Sequence, residues 1–141
     1  MAKSFKVSII TPEKTAFESE AVSVILPGTA GYLGIWANHA PLVTGIQPGV
    51  VSIKDKEGGS IKYMSVAGGF VEVSHNQVNI MSDSCELAEE IDIERAKAAI
   101  ARAKERLSAH DDAMDAERAR FAIERAQARI HAAYLREGHR D

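Results

Sequence analysis

The 141 residues include a single cysteine, Cys85, so no internal disulfide can staple the fold. That thiol is expected at a strand end, buried or half-buried as a small hydrophobe. No apolar run approaches the roughly 18 residues that a bilayer span requires. Met1-Ala2-Lys3-Ser4-Phe5 enters directly into a strand pattern without the apolar core of a signal peptide, which points to the cytoplasmic side of any nearby membrane. A basic excess is also missing: the net charge is −3, which leaves no electrostatic footprint for nucleic acid. Catalytic signatures are absent as well. There is no G-x-S-x-G turn, no metal-type spacing of Cys or His and no paired-carboxylate arrangement, so nothing in the sequence argues for an enzyme. His110, Asp111, Asp112 and Asp115 read as cap and turn residues and not as a metal cluster.

What the chain does contain is divided with unusual sharpness. All ten valines and all four prolines lie before residue 88, and all nine arginines lie after it. Residues 1–87 carry six lysines against eight acids, and residues 88–141 carry eleven bases against twelve acids. Neither half is a polyelectrolyte, so any electrostatic function must come from how charge is arranged. The division predicts two segregated modules, an N-terminal all-β sandwich (1–87) and a C-terminal antiparallel two-helix hairpin (88–141), an α+β chain.

In the first module, strands are predicted at Phe5–Ile10, Ala21–Leu26, Gly49–Lys54, Ile61–Val66, Phe70–Val73 and Gln77–Met81. Turn residues such as Asp55 to Gly59, Gly68-Gly69 and His75-Asn76 separate them. Strands recurring about every 8 to 12 residues argue for a sandwich or barrel. Between the second and third candidates runs Gly28 to Leu42, a glycine-rich loop with the only tryptophan, Trp36. It reads either as a partner-binding loop with aromatic anchors or as a tight corner with Trp36 packed inward. It is no phosphate loop, because no helix start follows it.

In the second module the period changes. Ile93, Ala96, Ile100, Ala103 and Leu107 form one seam at 3 and 4 spacing, and Ala119, Ile123, Ala126, Ile130 and Ala133 form another. Asp92 and Asp115 stand where N-caps belong, and Ser108–Met114 is the expected break. With alanine at most seam positions, little apolar area is buried per turn, so a weakly stable hairpin is expected. Placing Ile93 at heptad position a puts Arg95, Arg102 and Arg106 at positions c and g, and placing Ala119 at d in the second helix does the same for Arg118, Arg125 and Arg129, so six arginines share one flank. A hairpin turning near residue 112 sets Arg95 level with Arg129 and brings Arg102 close to Arg125, around Ala99 and Ala122. Such a face suits the oxygens of a phosphate-bearing ligand or an acidic partner surface; the alternative reading is a solvated charged face of an amphipathic helix.

Several stretches together resemble the bacterial F-type ATP synthase epsilon subunit. They are Val7 to Pro12, the loop Gly31-x-x-Gly34-Ile35-x-x-x-His39-Ala40-Pro41-Leu42, the strand Gly68 to Val73, and the Ala/Arg hairpin. The resemblance implies a non-catalytic rotor subunit of a proton-translocating synthase, peripheral on the cytoplasmic face of the cell membrane. Its sandwich would dock on the gamma subunit and the c-ring through a loop including Gly31, Tyr32, Gly34, Trp36, His39 and Pro41. Many relatives carry an acid where Tyr32 stands, so an aromatic contact would replace a polar one. The resemblance further implies mobile helices that inhibit ATP hydrolysis when extended into the alpha/beta catalytic head. Folded, they would bind ATP through Glu86, Ile91, Asp92, Arg95, Ala96, Arg102, Arg125 and Arg129. No obligatory cofactor is implied; ATP is a regulatory ligand, with or without Mg2+. Two other readings are a brake whose arginines meet only acidic surfaces of the catalytic head, and a freestanding sandwich adaptor with a coiled-coil arm.

Overall fold

The computed structural model describes residues 3–109 and 113–138. Ten strands come first: β1 (Phe5–Ile10), β2 (Thr15–Ala21), β3 (Ser23–Gly28), β4 (Gly31–Ile35), β5 (Leu42–Ile46), β6 (Gly49–Lys54), β7 (Ile61–Val66), β8 (Gly69–Ser74), β9 (Gln77–Ser82) and β10 (Cys85–Leu87). A short 3-10 turn at Ala88–Glu90 leads into α1 (Ile93–Ala109) and α2 (Ala113–Arg136). The chain is therefore a β-sandwich followed by an antiparallel helical hairpin.

One layer runs β10-β7-β6-β3 with β4 on the far side of β3, and the other runs β5-β8-β9-β1-β2. The layers join through a single ladder pair, Gly28 with Ile46. Alternation decides which residues fill the space between them. Val7 and Ile9 of β1, Val24 and Leu26 of β3, Val51 and Ile53 of β6, Met64 and Val66 of β7, Val71 and Val73 of β8, and Val78 and Ile80 of β9 all belong to the core.

Four strands escape the alternation rule, each for a local reason. β2 is the edge strand at the end of the order; with one neighbour and an open face, its sequence TAFESEA carries little apolar signal. β4 lies inside the stretch read as a loop, because its glycines are conventional loop markers. Its first residue, Gly31, has φ +128, and Gly34 is bare because the Trp36 ring covers it: a Cβ there would stand 2.7 Å from ring carbons. β5 (LVTGI) follows directly on the glycine-rich stretch, and its Leu42 is only half-buried, its Val43 exposed and its fourth residue a glycine. β10 is three residues long, too short for periodicity to register.

The helices correct two further expectations. Asp92 is the cap of α1, its Oδ1 accepting from the Arg95 backbone N–H at 3.0 Å. Asp115 is not a cap: α2 begins at Ala113, so Asp115 lies inside its first turn, where a carboxylate still interacts favourably with the helix dipole. The expected break of Ser108–Met114 is also narrower, since Ser108 and Ala109 finish α1. His110, Asp111 and Asp112 lie outside the described residues.

The hairpin closes on its alanines. Ala96, Ala103, Ala119, Ala126 and Ala133 are all buried to within a few per cent, while Ile93, Ile100, Leu107, Ile123 and Ile130 are only half-buried. The methyl groups let the backbones approach, and the longer side chains flank the contact. A second face of α2 lies on the sandwich: Ala132, together with Leu135, packs against Val50, Tyr63, Ala88 and Ile91. This explains why Val50 and Val51, neighbours pointing to opposite sides of β6, are both buried. One faces the core and the other faces α2.

Candidate functional site

Docking α2 on β6 and β7 carries its arginine flank to the edge strand β10. There Arg129 Nε donates to Glu86 Oε1 at 2.9 Å, with both side chains about two-thirds covered or more. A charge-assisted bond in that setting contributes more than an exposed pair. Farther along α2, Arg136 Nε lies 3.8 Å from Glu89, with both groups about half exposed, and it adds little. Around the first pair opens a recess of about 410 Å3 lined by Ser65, Val66, Ala67, Ser84, Cys85, Glu86, Arg125 and Arg129. Strands β7 and β10 form one wall and α2 forms the other.

Of the eight residues expected at a nucleotide, Glu86, Arg125 and Arg129 line this recess together. Ile91 is half-buried beneath α2, and Ala96 is fully buried in the helix seam. Asp92 holds the start of α1. Arg95 and Arg102 are exposed on α1 and line neither this recess nor the larger one on the hairpin. Neither has an ion-pair partner among the described residues. The four-arginine convergence expected from heptad geometry is thus half assembled. Two guanidiniums sit on the recess and two stand clear on the neighbouring helix.

Sequence reasoning missed the sandwich wall of the recess. Ser65, Ala67 and Ser84 have no motif, and only the ladder pairing of Glu86 with Ser65 brings them together. It also missed the second face of α2. The signal was present in Ala128, Ala132 and Leu135, a stripe at 4 and 3 spacing off the main seam.

Cys85 is half-buried on β10, as expected. Burial first, and then the Glu86 and Glu90 carboxylates, push its thiol from 9.0 up to about 11. The thiolate is the reactive form, so alkylation at pH 8 is expected to run roughly a hundredfold slower than in the urea-unfolded chain, a two-unit pKa difference. Equal rates by timed mass spectrometry would contradict that. The sign of the linkage follows: the folded state favours the neutral thiol, so this contribution is intact below pH 9.0 and is lost as pH rises toward about 11.

The aromatic loop is differently placed from the inward-corner reading. Trp36 is 60% exposed. Tyr32 is also exposed, but its hydroxyl accepts from the Val50 N–H at 3.0 Å, so the ring is tied across Gly49 of its own sheet. His39 Nδ1 stands 2.6 Å from the Ala40 carbonyl oxygen, and Gly31 and Pro41 are exposed. Among the described residues, no group of three or more His, Cys, Asp or Glu could hold a metal, and no helix is long and apolar enough to cross a membrane.

Comparison with known proteins gives a consistent result. Residues 4–88 match the model for the ATP synthase delta/epsilon chain β-sandwich domain, and residues 89–133 match that for its long α-helix domain. The ATP synthase epsilon chain of Desulforamulus reducens is 43% identical over 109 residues, covering 77% of this chain and 81% of the relative. That of Moorella thermoacetica is 46% identical over 104 residues, 74% and 77% of the two chains. A chain in the Euglena gracilis mitochondrial ATP synthase structure (OSCP/F1/c-ring) shares the fold, with a TM-score of 0.79 at 20% identity, over 96% of this chain and 82% of that one.

Proposed function

The chain belongs to the delta/epsilon family of ATP synthase, non-catalytic subunits of the central stalk, and from that premise we propose that its helical layer is a nucleotide-sensing regulatory arm. The carrying observation is the recess in which Arg125 and Arg129 of α2 face Glu86 of β10. ATP is the proposed ligand, held where the helices and the sandwich meet. Arg95 and Arg102 close on it from α1, and the Asp92 carboxylate, at the start of α1, is an acceptor for amino or ribose groups.

Because a ligand in this recess contacts both modules, it binds only the docked hairpin. Linkage then stabilises that state by RT ln(1 + [L]/Kd), about 2.7 kcal/mol at a hundredfold excess over Kd. That is enough to tip an alanine-seamed hairpin decisively. At low ATP the helices are released and reach the alpha/beta catalytic head as an inhibitor of hydrolysis. The rest of the proposal concerns coupling. The sandwich docks on the gamma subunit and the c-ring, with the exposed Trp36 loop as the contact surface, at the cytoplasmic face of the bacterial membrane.

Calorimetric titration of the isolated chain with ATP tests the site. Arg95→Ala removes no ion pair among the described residues, so its effect reports on the ligand. Arg129→Ala also frees Glu86. Each is expected to weaken ATP at least about tenfold, the scale of a lost hydrogen bond to a charged group. Unchanged affinity in both variants discards the assignment and favours arginines used only against acidic surfaces of the catalytic head.

A further inference from the structure

The larger recess on the hairpin lies mostly outside the residues assigned to the nucleotide. It measures about 550 Å3 and is lined by Arg106 of α1 and by Asp115, Arg118, Phe121, Ala122 and Arg125 of α2. Three guanidinium groups from two helices share this lining with one carboxylate. Arg106 has no ion-pair partner among the described residues.

Two features make the recess more than a charged surface. Its middle is open, because the flank position between the arginines is Ala122, whose methyl group leaves the space between the forks unfilled. One fork is also held in place: the Arg125 guanidinium lies over the Phe121 ring, 5.6 Å from its centroid, a cation–π contact. The Phe121 ring in turn reaches the sandwich, where Cζ would be 3.8 Å from a Cβ at Gly68. Guanidinium forks gathered around an open floor suit a ligand with several oxyanions at fixed spacing, which can engage more than one fork at once.

We propose that Arg106, Arg118 and Arg125 form a polyphosphate-binding subsite at the turn end of the hairpin, with Ala122 as its floor and Phe121 as its wall. The phosphates have two possible sources. One is the terminal phosphates of a nucleotide seated in the neighbouring recess, which shares Arg125; the other is free inorganic polyphosphate. Only the first source rests on the nucleotide reading.

The test is calorimetry of the full chain with sodium tripolyphosphate and, separately, with ATP. Arg106→Gln is compared with Arg120→Gln, a substitution at an exposed arginine of α2 that lines neither recess. Arg106→Gln is expected to weaken tripolyphosphate, ATP or both about tenfold, Arg106→Lys to recover part of the loss, and Arg120→Gln to change affinity less than twofold. Circular dichroism confirms that the helices persist. Equal losses in both glutamine variants would reduce the effect to general charge and overturn the proposal, as would affinities for both ligands that ignore Arg106. Tripolyphosphate binding that survives Arg95→Ala while ATP binding is lost assigns the subsite to free polyphosphate. An effect of Arg106 on ATP alone assigns it to the nucleotide's own phosphates. If tripolyphosphate binds through Arg106 and ATP binds nowhere, the nucleotide reading fails and the subsite stands.

Discussion

Alanine at Gly69 is expected to cost the sandwich about 3 kcal/mol or more, read by urea unfolding. Gly69 opens β8 with φ +143, a conformation that residues with a Cβ rarely adopt, and a Cβ built there runs into the Met81 carbonyl oxygen. The obstruction is backbone. Met81 is fixed by pairing with Phe70 on one side and Ile10 on the other, so relief would require breaking a ladder in the middle of a layer. The adjacent Gly68 is the internal control. It too has positive φ, +154, but its Cβ would meet nothing closer than 3.7 Å. Gly68→Ala therefore adds conformational strain alone, about 1 to 2 kcal/mol. Equal losses at the two positions would show that strain, and not collision, governs the turn.

The second large effect is expected in the helices. Ala132 is fully buried between α2 and the sandwich. Ala132→Asp would place a carboxylate there without a partner, a cost of several kcal/mol. The chain has a cheaper outcome than burying that charge, which is to lift α2 away from β6 and β7. Hydrogen exchange is then expected to show lost protection across both helices and unchanged protection in β1, β8 and β9. Ala98→Asp, at an exposed position of α1, leaves both regions protected. Retained protection in the Ala132→Asp hairpin would mean that the helices stand without the sandwich. Nucleotide affinity adds a functional measure: if the ligand sits between Glu86 and the α2 arginines, undocking abolishes it.

That second experiment addresses where the sequence-based expectation of a weak hairpin needs amendment. The alanine seam is as thin as heptad counting implies, but the seam is not the only support. Ala132 and Leu135 rest on Val50 and Tyr63, and the Arg129–Glu86 pair ties the same helix to β10. Counting one seam per helix hides this, because a helix that packs on two sides carries two overlapping apolar patterns.

The sequence by itself determined a good deal. The separation of valine and proline from arginine and the change of period from two to three and a half fixed the two modules and the antiparallel hairpin. Six of the strands were legible because a half-buried strand must alternate. Val7 to Pro12, the Gly31 to Leu42 loop, Gly68 to Val73 and the Ala/Arg hairpin carried the family resemblance.

Tertiary structure alone decided what those residues face. Whether Glu86 meets Arg129 depends on a contact across 43 residues of chain, which no local period encodes. Whether Arg95 and Arg102 join Arg125 and Arg129 depends on how α2 rolls when it settles on the sheet, and packing of Ala132 sets that roll. Trp36 lies outside with its ring over Gly34, a placement that no local period encodes either. Local chemistry chose the elements, and the competition for buried space chose their neighbours.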